Sequence, residues 1–416
     1  MAMLGPMVVV AESSAAALID ALGKAGAFPI VEARWANAPA AIAEIEPAAL
    51  VLADPTPCPE PRDGHALIRK IETHGGPFMP VLARMQADGE IAVPFALPIA
   101  ADEPVDRLIA RLRSALRVRT LHAAVLRRAG ASQPGKTRAF PPGLLDHATV
   151  LCMGRGGSYP ALTTAVGENV GLIGALSVET AARYLNARDI DGIVIGDGFG
   201  PRVVDALLTV LAEDARFRDL PVGVLGNATL DEDRLPNLVR VGSDPARLVA
   251  CLLPLVRLQA FESHLKRLLK SLETEGLVDP ETGLLAHDAF WRDLDRAVQQ
   301  AEDGGGALSV ARFSFEDIDR RASIDAARLF SRLVRNIDFA CREHDGSIVA
   351  AFTETDLRSA HVVARRLASI LKHTMLASDH EQRTIRPTIT LATLKSTDNL
   401  STLVARVGTY PKVAVR

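Results

Sequence analysis

The side chains with the clearest chemical capacity in this chain are acids and arginines at a few marked positions. Arg335-Asn336-Ile337-Asp338 sets a guanidinium and a carboxylate three residues apart, and Phe339 to Glu343 separates them from His344-Asp345-Gly346-Ser347-Ile348. On a helix, such an i,i+3 pair forms a surface ion pair worth about a few tenths of a kcal/mol. Asp54 in VLADP and Asp197 in VIGDG each end an apolar run, where a carboxylate can share a Mg²⁺ with neighbouring acids or simply form a turn. GASQPGKT, residues 130–137, satisfies a phosphate-loop pattern letter for letter. A working phosphate loop leaves a buried strand and opens a helix, whereas this one follows VLRRA and precedes RAFPP, so it is expected to be a decoy. Gly154, Gly156 and Gly157 follow a strand-like run but lack the third glycine and the acid of a dinucleotide loop. His287-Asp288 and His344-Asp345 have no accompanying ligand cluster and read as surface residues, so no metal is expected. Cys58, Cys152, Cys251 and Cys341 lie far apart with no CxxC pair, which argues against zinc and disulfides and for a reducing cytoplasm.

The elements that must position these residues follow from hydrophobic patterning. The chain has 416 residues, 48% hydrophobic and 23% charged, with a net charge of −3. Such a length predicts about three domains of ordinary size. The composition excludes disorder, and mixed charges leave no basic stripe for nucleic acid. The start, MAMLGPMVVVAES, has no basic n-region and too short an apolar run for a signal peptide or a membrane span. It reads as the first buried strand of a soluble, cytoplasmic protein.

Two segments repeat one grammar. From Met7 come MVVVA, a helix over Ala15 to Ala25, ALVLAD ending at Asp54, MPVLAR at 79–84, and a long amphipathic helix from Val105. From Ala148 come ATVLCM, GLIGAL, GIVIGD ending at Asp197, LPVGVLG, and a closing helix from Pro245. Short apolar runs alternating with helical patterns predict two doubly wound parallel-sheet domains, over 1–128 and 147–256, with a Gly- and Pro-rich linker at 129–146. Pro254 is expected to kink or restart the closing helix. Beyond it, Leu258, Phe261, Leu265, Leu268 and Leu272 alternate spacings of three and four. This seam is either an amphipathic face packed on its own domain or a helical stalk, 257–276, that pairs with a second copy. The homodimer is the expectation. Residues 277–416 form a third, α+β segment with the strand ALSVARFSF, the hairpin-like HDGSIVAAF and the strand PTITLAT.

The two repeated units resemble response-regulator receiver domains, which are flavodoxin-like, and Asp54 and Asp197 stand where that family carries its phospho-acceptor. Asp63-Gly64 resembles the loop after it. The resemblance also implies acids at the end of the first strand, a hydroxyl and a lysine to read the phosphoryl group. Only Glu12 remains among the acids of the first unit, Ala83 or Arg84 replaces the hydroxyl, and Leu97-Pro98 replaces Lys-Pro. The second unit has Cys152-Met153-Gly154-Arg155 without an acid, Gly226 at the hydroxyl position and no lysine. These departures imply docking scaffolds rather than switches.

From Val278, VDPETGLLAHDAF resembles the opening of GGDEF domains at Asp279, Thr282, Gly283, Leu284 and Phe290. The resemblance implies a central antiparallel sheet and, in an active diguanylate cyclase, two Mg²⁺ ions held by an Asp-x-Asp strand and the acidic pair of the signature. Here Ala311, Arg312 and Phe313 occupy the strand positions and His344, Asp345, Gly346, Ser347 and Ile348 the signature. The segment that binds guanine is also shorter, so the chain is expected not to be an enzyme. What survives is the family's product-inhibition motif, RxxD, in register at Arg335 and Asp338. A second family arginine falls on Arg366, beside Arg365. A carboxylate can accept from guanine N1–H and N2–H₂, and a guanidinium can donate to O6 and N7, pair with phosphate or stack on the purine.

The whole order resembles the PleD class of receiver–receiver–GGDEF proteins, and with catalysis lost, the PopA type of effector. That implies cyclic-di-GMP as ligand and an adaptor at a cell pole that recruits protein partners such as proteolysis adaptors. Two alternatives stand beside it. One is a ligand-independent dimeric scaffold, favoured if Arg335 and Asp338 are buried in one domain or paired only with each other. The other is a phosphorylation-regulated protein, favoured if Asp54 lies beside Glu12 in an open acidic pocket.

Overall fold

The computed structural model describes residues 4–408 apart from 56–57, 87–92, 94, 130–142, 227–234, 275, 305–306, 317, 336, 377–382 and 385. The phosphate-loop decoy at 130–137 lies outside the described residues. In the first segment β1 (Leu4–Val10), α1 (Ala16–Lys24), β2 (Phe28–Ala33), α2 (Ala38–Ile45), β3 (Ala49–Leu52), α3 (Pro61–Glu72), β4 (Val81–Met85), β5 (Leu97–Ala100) and α4 (Val105–Ala129) follow in order. The sheet order is β2-β1-β3-β4-β5, and its neighbours pair in parallel. Central strands that are buried on both faces need uninterrupted apolar runs, and Met7 to Val10 and Ala49 to Leu52 supply them.

The second segment repeats this with β6 (Thr149–Met153), α5 (Tyr159–Gly167), β7 (Gly171–Ala175), α6 (Val178–Ala187), β8 (Gly192–Ile195), α7 (Pro201–Glu213), β9 (Val222–Leu225), β10 (Leu238–Val241) and α8 (Pro245–Glu273). Its sheet, β10-β9-β8-β6-β7, has the same 2-1-3-4-5 order read from the other edge. That is the flavodoxin-like order, as the repeated grammar predicts.

Two buried arginines of α4 serve carbonyls of both sheets' outer strands. Arg107 donates to Leu238 O at 2.8 Å. Arg111 donates to Pro236 O at 2.9 Å and Leu238 O at 3.0 Å, and it also reaches Pro98 O. Burial pushes the Arg111 guanidinium down to about 10, with Glu103 opposing the shift. Nearby on α4, His122 Nδ1 accepts from the Phe78 amide at 2.9 Å.

Helix α8 departs from the expectation at Pro254, because it runs unbroken through that residue. One hydrogen bond is lost at a proline, but Leu252, Leu255 and Val256 are all buried beside it, and packing carries the helix past it. Its length and hydropathy would suit a membrane span, yet the apolar side chains are mostly buried in the protein. The seam beyond Pro254 is also largely covered from within. Leu258, Phe261 and Leu265 are buried, and Phe261 meets Phe78 and His122 edge-on at 5.8 and 5.1 Å. That half of the heptad pattern is an amphipathic face packed on its own unit.

The third segment holds α9 (His287–Gly304), β11 (Leu308–Ser314), α10 (Arg320–Leu333), β12 (Phe339–Arg342), β13 (Ile348–Thr353), α11 (Leu357–His373), the short β14 (Met375–Leu376) and β15 (Arg383–Thr384), β16 (Thr388–Thr393) and α12 (Leu400–Val407). The central sheet, β12-β13-β11-β16, is antiparallel. One face packs on α10 and α11 through Phe313, Phe330 and Leu367, and the other on α9 and α12 through Phe290, Leu294 and Leu403. The starts of α10, α11 and α12 are marked by an acid or amide cap: Asp319, Asp356 and Asn399 accept from Ala322, Ser359 and Thr402 amides.

Contacts divide the chain into two compact units. One comprises residues 1–166, 175–178 and 191–265, the other 167–174, 179–190 and 266–416. Most of α6 thus belongs with the third segment.

Candidate functional site

Arg335 to Asp338 lie just past the end of α10, where Val334 turns the backbone to an extended conformation. The segment is therefore not helical, and the i,i+3 ion pair suggested by spacing alone does not form among the described residues. Instead the Asp338 amide donates to Arg335 O at 3.0 Å, closing a turn. Arg335 and Ile337 are exposed on it, while Asp338 is buried. The Asp338 carboxylate accepts from the Thr353 amide at 3.1 Å, and the Thr353 hydroxyl donates to Ile337 O at 2.9 Å. Burial pushes the Asp338 carboxyl above the usual range, against the pull of Thr353 and Arg335. The turn is thus pinned to the end of β13, with the Arg335 side chain exposed to solvent.

Arg365 and Arg366 are exposed on α11, whose Ala360, Ala364, Leu367 and Leu371 fill the core. Arg358 and Val362 share the outward part of that helix. Sequence register thus selected four residues of which three arginines face solvent and one acid is anchored.

The opening motif has a structural explanation. Asp279 accepts from the Glu281 amide at 3.0 Å and the Thr282 hydroxyl at 2.5 Å, and Gly283, at φ +76°, lets the chain turn back so that Leu284 O meets the Asp279 amide at 2.8 Å. Leu285 then bridges to Cys341 of β12, and Phe290 enters the core.

At the altered signature, Asp345 accepts from the Ser347 amide at 3.0 Å and hydroxyl at 2.6 Å. Gly346 has φ +83°, and a Cβ there would lie 3.0 Å from Ser323 Oγ. Arg312 projects from β11 into this turn: its Nε donates to Ser347 Oγ at 3.1 Å, and its guanidinium also bonds the Asp345 carboxylate and Gly408 O. Burial alone would raise the Asp345 carboxyl, but Ser347 and Arg312 outweigh it and hold it below the usual range. Ala311 and Phe313 are buried core residues, and Ile348 is buried too. His287 is not the free surface residue expected. It is half-buried, accepts from Trp291 Nε1 at 3.0 Å and stacks on His344 at 5.3 Å and 31°. Among the described residues no group of three or more His, Cys, Asp or Glu side chains is arranged to hold a metal ion.

The two strand-end acids share a design that sequence reasoning missed. Asp54 accepts from the Glu12 amide at 2.6 Å and the Ser13 hydroxyl at 2.7 Å. Asp197 accepts from the Ser158 amide at 3.2 Å and from its hydroxyl. The Ser158 hydroxyl, with nearby amides, holds the Asp197 carboxyl below its ordinary value. Glu12 turns its own carboxylate to the Trp35 amide at 3.1 Å, and it is the Glu12 backbone amide that meets Asp54. Around Asp197, Arg155 lies over Phe199 at 5.0 Å and donates to Gly198 O at 3.0 Å. The only sequence signal was a serine in the first loop of each repeat, which has meaning only once the strand order is known.

No family model matches this chain, and no curated protein does. Among solved structures it is similar to the coiled coil and GGDEF domain of DgcB from Caulobacter crescentus in complex with c-di-GMP (19% identity, 35% of this chain and 83% of that one, TM-score 0.31). It is also similar to the diguanylate cyclase SiaD from Pseudomonas aeruginosa in complex with its activator SiaC (16%, 34% and 59%, 0.31). A third is the FimX GGDEF domain from Pseudomonas aeruginosa (20%, 32% and 89%, 0.29).

Proposed function

We propose that this chain is a non-catalytic cyclic-di-GMP-binding effector. The observation that carries the reading is the pinned turn: Arg335 is exposed, Asp338 is fixed to Thr353 rather than paired with Arg335, and the altered signature follows in register. A dinucleotide supplies the matching groups, a guanine edge with donors for Asp338 and acceptors for arginine, and phosphates for Arg335, Arg365 and Arg366. Loss of the cyclase reaction is supported by Arg312, whose cation stands on a strand position where the GGDEF resemblance implies a metal-binding acid. The two flavodoxin-like segments serve as receiver-derived docking modules for protein partners, proteolysis adaptors among them. Their Asp54 and Asp197 carboxylates are held by Ser13 and Ser158 rather than by the partners phosphoryl transfer needs. The working form is a cytoplasmic homodimer acting at a cell pole in the manner of the PopA type.

Calorimetric titration of the full chain with cyclic-di-GMP tests the reading. Micromolar or tighter binding that is lost in Arg335→Ala supports it. No heat from a folded wild type overturns it and leaves the ligand-independent scaffold, the reading favoured by Asp338 already having a structural partner in Thr353. Turnover of GTP with Mg²⁺ would refute the non-catalytic part.

A further inference from the structure

Helix α10 is amphipathic, yet its polar face is not solvated. Arg321, Asp325 and Arg328 lie four and three residues apart on one face, Arg332 continues it, and the first three are buried. Part of the cover comes from the residues just past α6, within the same compact unit. Arg188 donates to Asp325 at 3.0 Å with both side chains buried, and Asp189 pairs with Arg332, where 35% and 39% of the side chains are exposed.

The inner pair is imperfect. Arg188 Nε and Nη2 are buried and meet no acceptor among the described residues. Burial pulls the guanidinium below its ordinary value, and Asp325 only partly restores it. A desolvated cation with unmet donors holds two elements together less firmly than a fully bonded one. The outer pair is different in kind. Arg332 stands in the last turn of α10, three residues before Arg335, and the charge that occupies it is the Asp189 carboxylate. A phosphate diester bound by Arg335 would meet an attractive Arg332 and a repulsive Asp189.

We propose that Arg188-Asp189, the two residues that follow α6, are a built-in competitor of the dinucleotide site. With the site empty, Asp189 holds Arg332 and α6 lies on α10. When a ligand phosphate takes Arg332, Asp189 is displaced, and the imperfect Arg188–Asp325 pair lets the end of α6 loosen. Both states are set by one exchange of anions on Arg332, so ligand occupancy is read out as exposure of residues 179–190. The inference rests on the ligand reading above.

The test uses the full chain, cyclic-di-GMP as probe, calorimetry, and hydrogen exchange of residues 179–190. Asp189→Asn should bind about threefold tighter, the scale of removing one partly exposed ion pair. Ligand should speed exchange of 179–190 in the wild type and change it little in Asp189→Asn, where Arg332 is already released. If wild type binds and Arg335→Ala does not, while Asp189→Asn binds no tighter and exchange at 179–190 does not rise, the competitor is refuted and the site survives. If neither wild type nor Asp189→Asn binds, both ideas fail together.

Discussion

His122 offers the clearest quantitative prediction, because its environment penalises one protonation state from two sides. Its Nδ1 accepts the Phe78 amide hydrogen at 2.9 Å, so adding a proton there would set N–H against N–H. Burial, then Arg119, lowers its pKa from 6.5 to about 4. The unfolded chain therefore binds this proton more readily than the folded one. Stability is full above the unfolded value of 6.5 and is lost as pH falls from there towards 4. Between pH 7 and pH 5 the loss from this one residue comes to about 2 kcal/mol, and its limit below pH 4 is about 3 kcal/mol. Urea unfolding followed by Trp35 fluorescence in a Trp291→Phe background, at pH 7, 6 and 5, measures it. His122→Gln keeps an acceptor for Phe78 and removes the titration. The gap between wild type and His122→Gln should narrow by about 2 kcal/mol as the pH drops, since all other titrating groups are common to both. A gap that stays constant across that range would show that His122 titrates alike in both states and would refute the reasoning.

Two further outcomes are expected. A Cβ on Gly156 would lie 2.3 Å from the Asp197 carboxylate carbon, so Gly156→Ala should destabilise the chain by about 1–3 kcal/mol in urea melts. Adding Asp197→Ala should recover most of the loss, and no recovery would place the clash elsewhere. In ligand-free protein, Asp338→Ala should lower stability by about 1–3 kcal/mol because it strands the Thr353 amide, whereas Arg335→Ala should stay within about 0.5 kcal/mol. Equal losses in thermal melts would mean that Arg335 is structural too.

The two parallel sheets were legible because buried strands must be written as apolar runs, and MVVV, ALVL and GIVI leave little else to read. The turn at Asp338 was legible only as a register. Its backbone shape and the bond to Thr353 depend on where β13 ends. The Asp54–Ser13 and Asp197–Ser158 pairs were hidden because their members are 41 and 39 residues apart and meet only through strand order. Arg188–Asp325 spans 137 residues, and the face of α10 it covers reads in sequence as ordinary solvated charge. At Pro254 the expected restart does not occur, because packing along α8 carries one helix through the proline.

The arginines of α4 have a consequence for how this chain behaves in a crowded solution. β5 and β10 are the outer strands of their sheets on the side that α4 serves, and an outer strand offers unpaired carbonyls to any extended segment that arrives. Arg111 occupies Pro98 O on one of these strands and Leu238 O on the other, and Arg107 shares the second. A single helix thereby blunts two sticky margins at once, with cations that no incoming strand can mimic. The carbonyls that an added strand would address at Pro98 and Leu238 are thus already met from within the chain.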